Sequence, residues 1–194
     1  PDYLNHLGSS AIKAACTEDS QGHLDCLNLL LKTKPETISL HDAEGFAPIH
    51  AACRTSKNST LALIQHGADI DQKLKVEGES AKTPLEISLI WGRFDIARCL
   101  IEKKASFLET RDEGDASVLS FAITGGVDEE TDPTDIVELL TSLGAPVTNL
   151  TLVGAILAFA KDLEWSSKVL KLIFLSCNRE IAKTERWQFN SMFK

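Results

Sequence analysis

Two short apolar stripes at helical spacing mark the stretch 83–105, TPLEISLIWGRFDIARCLIEKKA. Pro84 suits the first turn of a helix, because its missing N–H would have no intrahelical partner there. Gly92 predicts the end of this helix, since glycine alone reaches positive φ without steric cost. The second stripe, at 94–101, predicts another helix. Two such short antiparallel helices cannot bury both stripes alone, so they need neighbours of the same kind.

The same pattern recurs along the chain. The residues in the position of Pro84 are Ala11, Pro48, Pro84, Val118 and Leu152, which are 37, 36, 34 and 34 residues apart. A nearly constant period in this range is typical of stacked repeats, in which each unit packs on the next.

The recurring segments resemble the ankyrin repeat, whose pattern is Thr-Pro-Leu-His, a pair of small residues, Gly-His, an apolar outer helix and Gly-Ala-Asp. The matching segments are 47–52 (APIHAA), 67–69 (GAD), 83–85 (TPL), 22–23 (GH) and 144–145 (GA). The resemblance implies an all-α fold, an ankyrin-repeat solenoid of stacked helix-turn-helix units joined by β-hairpin-like finger loops. It implies a single domain over 1–194, with divergent units at about 9–41, 42–71, 78–107, 111–147 and 150–176, and a C-terminal cap or linker at 177–194.

Length and composition agree with one elongated domain of 194 residues, of which 43% are hydrophobic and 25% charged. The longest apolar run, 150–160, is shorter than the ~20 residues that span a bilayer, so we expect no membrane insertion. The chain starts at Pro1 without a Met, and we expect it to be a fragment of a longer protein. The chain has five cysteines, an odd number. Cys16, Cys26, Cys53 and Cys99 fall at apolar helix positions and are interpreted as small buried hydrophobes, which predicts a reducing, cytoplasmic (or nuclear) location.

Negative charge is concentrated in one segment. Between Glu109 and Asp135 there are nine acidic side chains and one basic one, a net charge of −8 that equals the charge of the whole chain. Such a segment repels nucleic acid and steers basic partners. We therefore predict that Asp112, Glu113 and Asp115 contact a Lys/Arg-rich segment of a partner, the alternative being a solvated loop that keeps the protein soluble.

The only tempting catalytic pair is His50 with Cys53 three positions later. The resemblance instead assigns His50 to the Thr-Pro-Leu-His turn, where it hydrogen-bonds neighbouring backbone and joins repeats. The sequence has no phosphate-binding loop, paired-carboxylate motif or Gly-x-Ser-x-Gly motif, and no close cysteine pair that would suit zinc. We expect no enzyme activity, no metal and no cofactor.

A binding surface is the expectation that remains, because ankyrin arrays use their finger tips and the exposed ends of their inner helices to line a concave face. The residues mapped to the centre of this face are Phe46, Arg54, Ile90 and Trp91, with Glu44 and the acids Asp112, Glu113 and Asp115 beside them. Aromatic residues and arginine dominate binding hot spots. The sequence therefore predicts a protein-interaction module for a protein or peptide. The alternative for Phe46 and Trp91 is that they pack on each other or on the finger 72–82.

Two other interpretations stay open. The chain could be the targeting or autoinhibitory region of a larger multidomain enzyme, or of a secreted bacterial effector, whose catalytic part lies elsewhere. It could also be a purely structural array that spaces other domains, which predicts no exposed aromatic patch. The identity of the partner and the oligomeric state are not determined by the sequence.

Overall fold

A computed structural model describes residues 10–75, 81–108, 116–125, 131–160 and 164–192, with the side chains described up to 179 except at 159. The predicted acidic finger residues Asp112, Glu113 and Asp115 lie outside these ranges. Within the described residues every regular element is helical and none is a strand, which confirms the predicted all-α class. The helices are α1 (Ala11–Ala15), α2 (Gln21–Thr33), α3 (Pro48–Thr55), α4 (Lys57–Gln65), α5 (Pro84–Ile90), α6 (Phe94–Glu102), α7 (Val118–Thr124), α8 (Thr134–Ser142), α9 (Asn149–Ala160) and α10 (Ser166–Met192), with a short 3-10 helix at Pro35–Thr37.

The chain divides into two compact units, Pro1–Ser106 and Phe107–Lys194. In the first unit the helices pair as α1 with α2, α3 with α4, and α5 with α6. The inner helices α1, α3 and α5 pack in sequence, and the outer helices α2, α4 and α6 form a second row. Apolar side chains from both rows fill the space between them. Those with no exposed surface include Ile12, Leu27, Ile49, Leu63, Leu85, Leu89, Ile96 and Leu100.

The inner helices begin with a shared polar arrangement. In α5 the hydroxyl of Thr83 accepts a hydrogen bond from the Glu86 N–H (3.3 Å), and the Glu86 carboxylate accepts one from the Thr83 N–H (2.8 Å). This reciprocal pair satisfies two backbone donors that a helix start leaves unpaired. In α3 the position of Thr83 is Ala47, whose N–H donates to His50 Nδ1 (3.1 Å).

The helix ends follow the sequence prediction at Gly92, which has φ 63 and closes α5. At the equivalent turn after α6 the chain places Lys104, with φ 68, in the same left-handed region. The turn nevertheless forms, since the Lys104 N–H donates to the Ile101 carbonyl (2.9 Å) and the Ala105 N–H to the Leu100 carbonyl (3.0 Å). A lysine there pays a steric cost that a glycine avoids.

Replacing this residue, Lys104→Gly, should therefore raise the free energy of unfolding by about 1 kcal/mol. The midpoint of urea unfolding measures the change. The matched control is Lys103→Gly at the preceding position, where φ is −83 and glycine only adds freedom to the unfolded chain. Equal shifts for the two variants would contradict the assignment of strain to Lys104.

In the second unit α7 packs against α8 and α9, and α10 packs against α8 and α9. The predicted register of the last inner helix was wrong by three residues. The Thr148 hydroxyl accepts a hydrogen bond from the Thr151 N–H (3.3 Å), just as the Ser117 hydroxyl accepts one from the Ser120 N–H (3.3 Å) at the start of α7. Helix α9 therefore starts at Asn149. Asn149, and not Leu152, takes the position that Pro84 has in α5. The continuous apolar run 150–160 has no alternation of apolar and polar residues that would show where α9 begins. The polar cap at Thr148 determines this start.

Helix α8 follows its N-cap Pro133, and the Asp132 carboxylate accepts a hydrogen bond from the Thr134 N–H (2.8 Å). One prediction about the cysteines also changes. Cys16, Cys53 and Cys99 are buried as expected, but Cys26 is exposed. Successive residues of a helix point about 100° apart, so burial of Leu27 turns the side chain of Cys26 toward solvent.

Candidate functional site

Arg54 and Trp91 meet at the ends of two neighbouring inner helices. Arg54 is the second-last residue of α3, and Trp91 directly follows α5. The guanidinium carbon of Arg54 lies 4.0 Å from the centre of the Trp91 ring, within the range of a cation–π contact. Trp91 is 38% exposed, and Ile90 beside it is half-buried. The structure therefore brings together three of the predicted site residues at one end of α3 and α5.

Arg93 holds the backbone that carries Arg54, and no sequence motif indicates this role. Its Nη1 donates hydrogen bonds to the carbonyls of Arg54 (3.1 Å) and Thr55 (2.6 Å). These carbonyls are at the C-terminal end of α3, where a positive charge is favourable. Only packing of α5 beside α3 shows that a residue just after the Gly92 turn reaches the preceding helix.

The end of α3 is also tied to the first helix pair. The Thr55 hydroxyl donates to the carbonyl of Cys16 (2.6 Å), and the Ser56 hydroxyl donates to the Asp19 carboxylate (2.6 Å). Hydrogen bonds from both sides thus hold the backbone that carries Arg54. The exposed face of the Arg54–Trp91 pair therefore rests on backbone that hydrogen bonds hold in place.

Phe46 contacts residues of α1 and α3. Its ring is half-buried, contacts His50 edge-on at 6.3 Å between ring centres, and lies under the Lys13 ammonium at 5.3 Å. The aromatic contacts of the described residues do not pair Phe46 with Trp91. Phe46 therefore contributes to the joint between α1 and the loop before α3.

Asp42 completes that joint. Its carboxylate forms an ion pair with Lys13 and accepts the N–H groups of Glu44 (3.0 Å) and Phe46 (2.8 Å). Burial alone would raise the pKa of Asp42, but the Lys13 hydrogen bond and these backbone donors hold that pKa below its ordinary value. The turn leaves Glu44 exposed at its tip, next to Gly45 with φ 81.

His50 and Cys53 do not form a catalytic pair. Both side chains are fully buried. Burial lowers the pKa of His50 to about 4, because its effect is larger than that of the hydrogen bond to the Gln72 carbonyl, which raises this pKa. The ring is therefore neutral near pH 7: its Nδ1 accepts from the Ala47 N–H, and its Nε2 donates to the Gln72 carbonyl (2.7 Å). Burial raises the pKa of the Cys53 thiol to about 12, which keeps it from acting as a thiolate nucleophile. The backbone-bonding role expected for His50 is confirmed.

Among the residues described, no three His, Cys, Asp or Glu side chains come together as a possible metal site. The described helices also include none long and apolar enough to cross a membrane.

Comparisons with known proteins give two partial similarities. No protein-family model matches the chain. Over 96 residues it is 32% identical to protein phosphatase 1 regulatory subunit 27 of Homo sapiens, a match that covers 49% of this chain and 60% of the relative. Over 107 residues it is 33% identical to target of rapamycin complex 2 subunit AVO2 of Saccharomyces cerevisiae, covering 54% of this chain and 24% of the relative. Both similar proteins are named as subunits, one of them regulatory, and neither name describes a catalytic activity.

Proposed function

We propose that the chain is an ankyrin-repeat module that binds a partner protein or peptide on the concave surface formed by its inner-helix ends and finger loops. The repeated helix pairs of the first unit, the shared polar start of the inner helices and the glycine turns support this assignment. His50 supports it as well, since it joins the start of α3 to the carbonyl of Gln72 in the following loop.

The observation that carries the proposal is the exposed Trp91 with Arg54 stacked on its ring. Tryptophan is highly buried on average, and tryptophan and arginine are among the residues enriched in binding hot spots. Because Arg93 and Thr55 already hold the backbone in place, binding would order few additional groups. A partner that covers the pair therefore gains buried area at a small entropic cost.

The other predicted site residues extend this surface as part of the proposal. Ile90 would add apolar area beside Trp91, and Glu44 would place a negative charge at the finger tip. Phe46 would act by holding that finger rather than by entering the partner. Asp112, Glu113 and Asp115 would steer a basic partner segment toward the surface by long-range attraction.

The similar proteins supply the partner classes to test first. One is named as a regulatory subunit of protein phosphatase 1 and the other as a subunit of target of rapamycin complex 2. We propose that this chain likewise acts as a non-catalytic subunit of a regulatory assembly. The free cysteines fit a cytoplasmic location for such a role.

The test is quantitative affinity capture with wild-type protein and the double variant Arg54→Ala/Trp91→Ala, followed by a binding titration with each captured protein. Loss of the pair should weaken binding at least about tenfold, since hot-spot truncations cost more than ~1–2 kcal/mol. The matched control is Arg98→Ala/Leu29→Ala, which removes an exposed arginine and an exposed apolar side chain from the outer helices α6 and α2.

Equal thermal melts of the three proteins show that the substitutions leave the fold intact. Capture of the same proteins with the same affinity by wild type and the Arg54/Trp91 variant would refute this site. If neither form captures a protein, the alternative role as a positioning region of a larger enzyme takes precedence.

A further inference from the structure

The guanidinium of Arg54 pairs with no carboxylate in the part of the chain that the structure describes. At 4.0 Å from the centre of the Trp91 ring, it stacks on the indole through its flat face. Its five N–H donors lie in the plane of the group and point outward from its edge, so stacking leaves them open. The edge of this half-buried cation is therefore left for an acceptor from outside.

Arg93, the neighbouring arginine, already has its acceptors. Its Nη1 donates to the carbonyls of Arg54 and Thr55, and its Nε lies 3.6 Å from the Asp95 carboxylate. The chain has 28 acidic side chains and only 20 basic ones, so acids outnumber the cations that they could pair with. An arginine whose edge is open binds a planar carboxylate by two parallel hydrogen bonds, each roughly twice as strong as a bond between neutral groups.

An apolar surface adjoins this charged edge. It consists of the exposed part of the Trp91 ring and the half-buried side chain of Ile90. Because the guanidinium rests on the indole, the charged and apolar parts of the site touch each other. A ligand that matches both parts carries a carboxylate and a large apolar group close together. In an extended peptide, residues i and i+2 point to the same side about 7 Å apart, which meets this requirement.

We propose, on the basis of the binding function proposed above, that the ligand is an extended peptide segment of a partner with an Asp or Glu two residues away from a large apolar side chain. The carboxylate binds the edge of Arg54, and the apolar side chain packs on Trp91 and Ile90. A basic segment would place a like charge against Arg54, and a carboxylate without an apolar neighbour would leave the Trp91 ring uncovered.

The net charge of the chain does not oppose an acidic ligand at this site. Arg54 and Trp91 lie in the unit Pro1–Ser106, which has fourteen acidic and twelve basic side chains and so a net charge of −2. The segment 109–135, with its net charge of −8, belongs to the other unit. A basic segment that those acids attract would be a different part of the partner from the segment that binds Arg54.

Selection from a phage-displayed library of random linear peptides tests the ligand directly. Wild-type protein and Arg54→Ala/Trp91→Ala serve as parallel baits. Peptides that wild type enriches and the double variant does not should contain an Asp or Glu two positions away from a large apolar residue. One such peptide is then synthesised in two forms, one with its acid and one with the matching amide, Asn for Asp or Gln for Glu.

Isothermal titration calorimetry compares the affinities of the two peptides for each protein. Wild type should bind the acidic form about five- to tenfold more tightly, because the amide cannot form the charge-assisted pair. Arg54→Gln should bind both forms within about twofold of each other, and Arg54→Lys should keep part of the difference through its point charge. The matched control Arg98→Gln, at an exposed position on α6, should discriminate like wild type. Each ratio compares two peptides on one protein, so a variant that loses some stability still gives a valid result.

Peptides that need Arg54 and Trp91 but bind equally well as acid and amide would overturn the acidic ligand and leave the proposed binding surface in place. Enrichment of basic residues at the position of the acid would have the same meaning. A wild-type chain that enriches no peptide beyond those of the double variant would refute both the acidic ligand and peptide binding at this surface.

Discussion

Lowering the pH from 7 to 4 is expected to remove about 3 kcal/mol from the free energy of unfolding through His50 alone. Burial lowers the pKa of His50 from 6.5 to about 4 in the folded chain. Between these values the unfolded state binds more protons than the native state, so stability is complete above pH 6.5 and is lost as the pH falls through this window. Urea unfolding midpoints at successive pH values measure the slope.

Two variants test whether His50 causes this change of the free energy of unfolding with pH. His50→Gln removes the titrating ring, so its stability should be lower at pH 7 but nearly constant down to pH 4. His66→Gln replaces an exposed histidine at the end of α4, and the free energy of unfolding of this variant should change with pH as it does in wild type. A His50→Gln variant that loses stability as steeply as wild type would show that other groups dominate the pH response.

Arg93→Ala should lower the free energy of unfolding by about 2 kcal/mol, the second large effect. The substitution leaves the carbonyls of Arg54 and Thr55 without their charged donor at the end of α3. Arg93→Lys should recover only part of the loss, because one ammonium cannot reproduce the planar fork of the guanidinium. Thermal and urea unfolding measure both changes.

Arg98→Ala is the control for this series, since Arg98 is exposed on α6 and its replacement should change stability by less than about 0.5 kcal/mol. If Arg93→Ala is as mild as Arg98→Ala, the two hydrogen bonds do not support the end of α3. The backbone under Arg54 would then be held chiefly by Thr55 and its bond to the Cys16 carbonyl.

The binding surface could be predicted only in part. Arg54, Ile90 and Trp91 were identified because large residues stand at inner-helix ends, and the structure places them together. Phe46 was chosen from its place in the finger loop before α3, and its ring lies between Lys13 and His50. The spacing along the chain does not show which neighbour a half-buried ring contacts, because that depends on how α1 packs beside the loop before α3.

By itself the sequence determined the features that depend on neighbours in the chain. These include the paired short helices, the turn at Gly92 and the hydrogen bond from the Ala47 N–H to His50 at the start of α3. Tertiary packing decided which face of α2 is buried, and with it the exposure of Cys26, and it alone brought Arg93 to the end of α3. Helix periodicity and capping act over three or four residues, whereas Arg93 lies 38 and 39 residues from the carbonyls that it contacts and reaches them only when one helix pair stacks on the next.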